Sequence, residues 1–283
     1  MAIPVIDFSR LDGDERAAAL AEIAAGFEEW GFFQLVNTGI PDELLERVKK
    51  VCTDCYKLRE DGFNRSNPAV KALAALVEQE GEGLAPRKVE GMDWEDVFTL
   101  HDDLPWPSIP PTFKETMMEY RTELKKLAEK MLGVMEELLG LEEGQITKVF
   151  SKDGDFEPFY GTKDDRVGGL QVLGRDGRWA DVQPVENAIV INTGDQIEVM
   201  SNGRYKSAWH RVLATRDGNR RSIASFYNPA RAATIAPAIP AAADSGDYPS
   251  FSFGDYMEVY IKQKFQDKEP RFAAAAATKN MVD

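Results

Sequence analysis

Of the chain's two histidines, His210 stands where a metal ligand would be useful. It lies in Ser207-Ala208-Trp209-His210-Arg211-Val212. In a strand, alternation turns Ala208, His210 and Val212 to one face and Trp209 and Arg211 to the other. A neutral imidazole pointing into a barrel is a good ligand for a first-row metal. The plainer reading is a histidine satisfied by backbone hydrogen bonds. Beyond the turn at Asp217-Gly218, Arg220 and Ser222 sit two apart and so share a face. A guanidinium fork beside a hydroxyl suits a carboxylate or bicarbonate. Its competitor is an arginine closing a barrel end through a structural ion pair.

Other groups carry weaker chemistry. His101-Asp102-Asp103 is formally a His-x-Asp, but it is far from His210 in sequence and reads as a solvated turn. Asp164 and Asp165 precede a glycine pair and could supply one carboxylate; such pairs are usually solvated turns. Cys52-x-x-Cys55 falls inside a predicted helix rather than after a strand, which removes the context of a redox motif. Two cysteines and two scattered histidines make no zinc site.

These groups must be positioned by the elements around them. Residues 4–8 and 32–36 read as strands, with an Ala-rich amphipathic helix over 12–29 between them. Pro41 with Asp42 and Glu43 opens a helix running to about residue 59. Residues 69–80 look helical and 95–100 strand-like, and the prolines of 104–111 enforce a loop. A long helix follows over 112–139. From Phe156 short apolar runs alternate with turn residues, as in a sandwich or barrel. The strands expected are 156–162, 168–173, 178–183, 188–193, 196–200, 207–214, 220–228 and 233–236. Asn202-Gly203 and Asp217-Gly218 are expected as hairpin turns. A helix over 253–265 closes the chain, and the alanines of 273–277 are uninformative. The fold class is α+β. The expected divisions are a mixed helix/strand region over 1–110, packing helices over 111–151, a β core over 152–237, and a C-terminal helix and tail over 238–283.

A net charge of −14, with 48 acidic and 34 basic residues, argues against nucleic acid or an anionic membrane as the main partner. With 43% apolar residues, no membrane-length run, no secretory leader and two cysteines, the cytoplasm is the expected compartment.

A resemblance then organises these readings. The stretch from Asn192-Thr193-Gly194-Asp195 through His210 to Ser225-Phe226-Tyr227-Asn228-Pro229 resembles plant 1-aminocyclopropane-1-carboxylate oxidases. So do Pro4-Val5-Ile6-Asp7-Phe8, Glu29-Trp30-Gly31-Phe32-Phe33, Lys264-Phe265 and Lys268-Glu269-Pro270-Arg271-Phe272, and the likeness covers nearly the whole chain. It implies a double-stranded β-helix (jelly-roll) core with flanking N-terminal helices and a C-terminal helix. It also implies Fe(II), ascorbate, bicarbonate or CO2 as activator, and oxidation of the cyclopropane amino acid by O2 to ethylene. On this resemblance His210 is the distal histidine of a 2-His-1-carboxylate triad. Arg220 and Ser222 are then the anion-binding Arg-x-Ser, and Lys163 and Arg271 match positions linked to substrate or activator. The chain departs from the pattern in one place. Phe159-Tyr160-Gly161-Thr162-Lys163 runs straight into Asp164-Asp165-Arg166-Val167-Gly168-Gly169, and the His-x-Asp strand of the family is absent. The expectation is a shortened jelly-roll with unpaired edges, one metal ligand (His210), no identifiable catalytic residue, and little or no turnover. Two alternatives stay open: a non-catalytic anion-binding or interaction protein, and an oxygenase that uses 2-oxoglutarate, whose carboxylate Arg-x-Ser also grips.

Overall fold

The computed structural model describes residues 2–66, 100, 106–150, 158–163, 168–213, 220, 222–242, 248–263 and 267–279. The N-terminal half is largely helical. Strand β1 (Val5–Asp7) leads through a 3-10 turn to α1 (Arg16–Ala25), a wide π turn (Gly26–Trp30) and β2 (Phe32–Val36). Helices α2 (Asp42–Ser66), α3 (Phe113–Leu139) and α4 (Gln145–Phe150) follow. Strands β3 (Pro158–Lys163), β4 (Leu170–Leu173), β5 (Trp179–Asp181) and β6 (Ile189–Asn192) come next, then α5 (Asp195–Met200). The chain ends with β7 (His210–Val212), β8 (Ser222–Tyr227), β9 (Thr234–Ile235), β10 (Phe251–Ser252), α6 (Phe253–Gln263) and α7 (Glu269–Lys279).

Four small sheets result. β2 is central in the first, parallel to β1 and antiparallel to β6. β4 is central in the second, between β5 and β7. β3 with β8, and β9 with β10, form two-stranded antiparallel ribbons. Among the described residues β7 is therefore an edge strand, and Val212, Leu213, Trp209 and Phe226 lie exposed on or beside β7 and β8.

The core divides about β2. Phe33 and Leu35 face the large helical core, with Ile23 of α1, Leu44 and Val48 of α2, and Met117, Tyr120 and Leu127 of α3. Phe32, two residues from Gln34, faces a small second core with Ile3, Trp30, Val172 and Val182. β2 is thus buried on both faces, unlike the alternating strands elsewhere.

Entry into β2 is fixed by Gly31, whose φ is +64°, a left-handed conformation that L side chains rarely adopt. A Cβ there would lie 1.9 Å from the Lys206 carbonyl oxygen. The same point is tied by Thr193 N–H donating to Gly31 O (3.1 Å) and Lys206 N–H donating to Phe27 O (3.2 Å). Thr193 Oγ1 also donates to Lys206 O.

Several expectations need correction. Residues 196–200, expected as a strand, form helix α5. Gly194 supplies an extended entry, Asp195 and Glu198 occupy the first turn, and a short apolar run does not distinguish strand from buried helix by period alone. Asn202-Gly203 is then the exit of that helix rather than a hairpin turn. Both residues have positive φ, and Gly203 N–H donates to Glu198 O (2.8 Å). Asp217-Gly218 lies outside the described residues, and the strands on either side of it take different partners, β7 with β4 and β8 with β3. The alanines of 273–277 belong to α7, as their helix propensity allows. The first helix runs from Arg16 to Ala25 and gives way to the π turn. Residues 69–80, 95–99, His101, Asp103, Asp164 and Asp165 lie outside the described residues.

Gly31→Ala forces both a left-handed side chain and a backbone clash. It is expected to destabilise by about 3 kcal/mol or more, read as a lowered denaturant midpoint at unchanged slope.

Candidate functional site

The small core around Phe32 is where the predicted chemistry collects. His210 opens β7 opposite Val172 of β4, and Val172 is fully buried in that core. The imidazole packs on Phe32 with ring centroids 5.1 Å apart, while Ala208 joins the same cluster. The outward residues behave as alternation requires. Arg211 stacks over Trp179 at 4.1 Å and donates to Gln171 Oε1 (2.9 Å). The His210 Nδ1 lies 3.1 Å from Ala208 O, so Nδ1 donates to that carbonyl and Nε2 keeps its lone pair. His210 is nonetheless solvent-exposed, and among the described residues β7 has one neighbour, β4.

A small cleft on the same minor core is lined by Gln34, Gly168, Leu170, Val182, Val190 and Arg220. Arg220 is half-buried, and burial lowers its guanidinium pKa from the ordinary value. Its Nη1 donates to Ser222 Oγ. Ser222 begins β8 directly opposite Lys163 of β3, so the two ends meet in register. Arg220 and Ser222 thus meet at the start of β8 with the Lys163 backbone adjoining, while His210 lies on a separate sheet.

Arg271 is placed differently. It is buried at 3% exposure, pairs with Asp195 Oδ2 at 3.5 Å, and lies over the rings of Trp209 (5.7 Å) and Tyr260 (5.3 Å). Trp209 is on the face of its strand opposite His210. Tyr256 donates its hydroxyl to the same Asp195 carboxylate, and burial together with that carboxylate pushes the phenol pKa up. Close by, the Lys268 ammonium meets Glu198 Oε2 at 2.6 Å and Ser207 O at 2.8 Å. Glu198 also accepts from Ser207 N–H (2.6 Å) and from Tyr248 hydroxyl (2.8 Å). These buried pairs fasten the C-terminal segment to α5 and to the residues that lead into β7.

Fe(II) of the oxygenase type needs three convergent protein ligands. Among the described residues no group of three or more His, Cys, Asp or Glu is placed to hold a metal. An exposed single imidazole does not fit that requirement. Cys52 and Cys55 are buried in α2, with Cys52 Sγ against Met117 Sδ (3.9 Å), which bears out their reading as ordinary helix residues. Sequence reasoning missed Gln34, Glu198 and Lys268. The one signal for Gln34 was a single amide inside an otherwise apolar strand, Phe32-Phe33-Gln34-Leu35-Val36.

No helix among the described residues is long and apolar enough to cross a membrane. Residues 159–229 match the 2OG-Fe(II) oxygenase superfamily, and residues 3–121 match the N-terminal region of non-haem dioxygenases in morphine synthesis. A 1-aminocyclopropane-1-carboxylate oxidase of Musa acuminata is 60% identical, over 98% of this chain and 100% of its own length. 1-Aminocyclopropane-1-carboxylate oxidase 5 of Arabidopsis thaliana is 55% identical, over 97% of this chain and 99% of its own. The Musa alignment extends over 311 positions, more than the 283 residues present here, so parts of the relative stand opposite gaps in this chain. Among solved structures, JOX2 in complex with 2OG, Fe and JA is 27% identical with a TM-score of 0.73, over 97% of this chain and 89% of that one. The dioxygenase for auxin oxidation in rice, 21% identical with a TM-score of 0.66 over 97% of this chain and 99% of that one, shares the fold. With two such relatives matched along their whole length, the chain belongs to the 1-aminocyclopropane-1-carboxylate oxidase family of the 2OG-Fe(II) oxygenases.

Proposed function

We propose that this chain keeps the small-anion cleft of an ethylene-forming oxidase but turns over 1-aminocyclopropane-1-carboxylate little or not at all. Family membership implies Fe(II) and ascorbate as cofactors, with bicarbonate or CO2 as activator. The observation that carries the reading is His210 on an exposed edge strand, with no second and third ligand gathered beside it among the described residues. Metal affinity comes from several preorganised donors, and one flexible imidazole supplies few of them. The Arg220 guanidinium, with Ser222 beside it and a cleft in front of it, remains suited to a small oxyanion. Lys163 belongs to this proposal only through its register opposite Ser222.

The metal half is tested by anaerobic titration of the folded chain with Co(II), beside a His210→Ala control, followed by an ethylene assay with ascorbate. Binding too weak to saturate at one equivalent, with no ethylene, is the expected result. Tight binding at one equivalent that disappears in His210→Ala would overturn the proposal.

Arg271 enters as a tether rather than a substrate ligand, because its guanidinium is held by Asp195 and two aromatic faces. Arg271→Met leaves Asp195 uncompensated and is expected to cost about 3 kcal/mol of stability. Anion affinity at the Arg220 cleft should stay at the wild-type value in calorimetric titration. Lost anion affinity at unchanged stability would assign Arg271 to the ligand instead.

A further inference from the structure

Three residues before His210, one buried ion pair grips both backbone polar groups of a single residue, Ser207. Glu198 and Lys268 meet at 2.6 Å, with 4% and 14% of their side chains exposed. Glu198 Oε2 accepts from the Ser207 N–H (2.6 Å), and Lys268 Nζ donates to the Ser207 carbonyl oxygen (2.8 Å). The Tyr248 hydroxyl donates to Glu198 Oε1 (2.8 Å) and so orients the carboxylate. Replacing such a pair by apolar residues of similar volume costs little stability. What that replacement would lose is the grip on Ser207.

The grip reaches the imidazole through the next residue. Beyond Ala208, the Trp209 carbonyl oxygen accepts from the Leu173 N–H of β4 (2.8 Å). The Ala208 carbonyl is therefore set between two anchored peptides, and it faces His210 Nδ1 at 3.1 Å. In a neutral imidazole one nitrogen carries the proton, and the hydrogen bond it makes decides the role of the other. A ring exposed to water favours Nε2–H; a fixed acceptor at Nδ1 reverses that choice. We propose that Glu198 and Lys268 are positioning residues for His210. By fixing Ser207 they hold the Ala208 carbonyl as the Nδ1 acceptor, which leaves the Nε2 lone pair available to an electrophile. This does not depend on the anion cleft, and the pair acts on the imidazole whether or not a metal is bound.

Two-bond proton–nitrogen correlation spectra of the full chain report the imidazole tautomer, and His210→Ala separates the signal from that of His101. At mildly alkaline pH, where an ordinary imidazole is neutral, wild-type His210 is expected as the Nδ1–H form. The double variant Glu198→Gln with Lys268→Met removes both charges together, so neither is stranded. It also removes the donor to the Ser207 carbonyl. The ratio of Nδ1–H to Nε2–H should then fall about tenfold, the equivalent of one ordinary hydrogen bond. Lys268→Arg, which keeps a cationic donor, should retain the wild-type pattern. Val48→Ala, a cavity in the helical core, should lower stability without moving the tautomer. Wild-type His210 protonated on Nε2 would overturn the proposal, and that arm needs no variant to fold. A folded double variant with an unchanged ratio, or an equal shift in Val48→Ala, would overturn it as well.

Discussion

The structure depends on how β2 enters between its two cores. Every side chain from Phe32 to Leu35 is buried, so no solvent-facing residue sets the phase of the strand. A slip of one residue would drive Gln34 into the helical core and Phe33 against His210. The phase is set instead at Gly31, where the chain passes so close to the Lys206 carbonyl that only glycine fits. Thr193 and Lys206, bonded at the same point, bring the end of β6 and the approach to β7 into register with it. From this junction follow the stack of His210 on Phe32 and the placing of Gln34 beside Arg220.

The second constraint is electrostatic and comes from the far end of the chain. Asp195 and Glu198 on α5 are nearly dehydrated, and each is met by a cation from the last segment, Arg271 and Lys268. Buried pairs of this kind add little net stability over an apolar replacement, but removing one member strands the other. Their role is therefore to specify where the C-terminal helices dock. They also fix Ser207, from which the chain runs into β7. The approach to β7 is thus braced from behind, while among the described residues β7 pairs on one side alone.

Much of this was legible in the sequence, for identifiable reasons. Alternation gave the two faces around His210, and Arg211 and Trp209 lie outward as it requires. The long apolar periodicity of α3 and the compact strand at 32–36 were clear because each is a strong local pattern. What failed was decided by tertiary context. Residues 196–200 read as a strand because Ile197, Val199 and Met200 are apolar at short spacing, yet Gly194 and the carboxylates of the first turn start a helix there. Asn202-Gly203 carries the same positive-φ chemistry at a helix exit as in a hairpin, so the dipeptide alone could not distinguish them. Gln34 and Lys268 find their partners far away in sequence, the Gln183 carbonyl and Glu198, and no local pattern names such pairs.

On the function proposed here, iron chemistry is lost with its ligands while the rest of the family fold remains. The most direct measurement is the Co(II) affinity of this chain beside a graft that carries, at the junction after Lys163, the segment of the Musa relative that supplies the lost strand. Tight, one-equivalent binding with ethylene formation in the graft alone is the predicted result. A folded graft that binds no more tightly than the present chain, or a present chain that already binds as tightly as the graft, would contradict it.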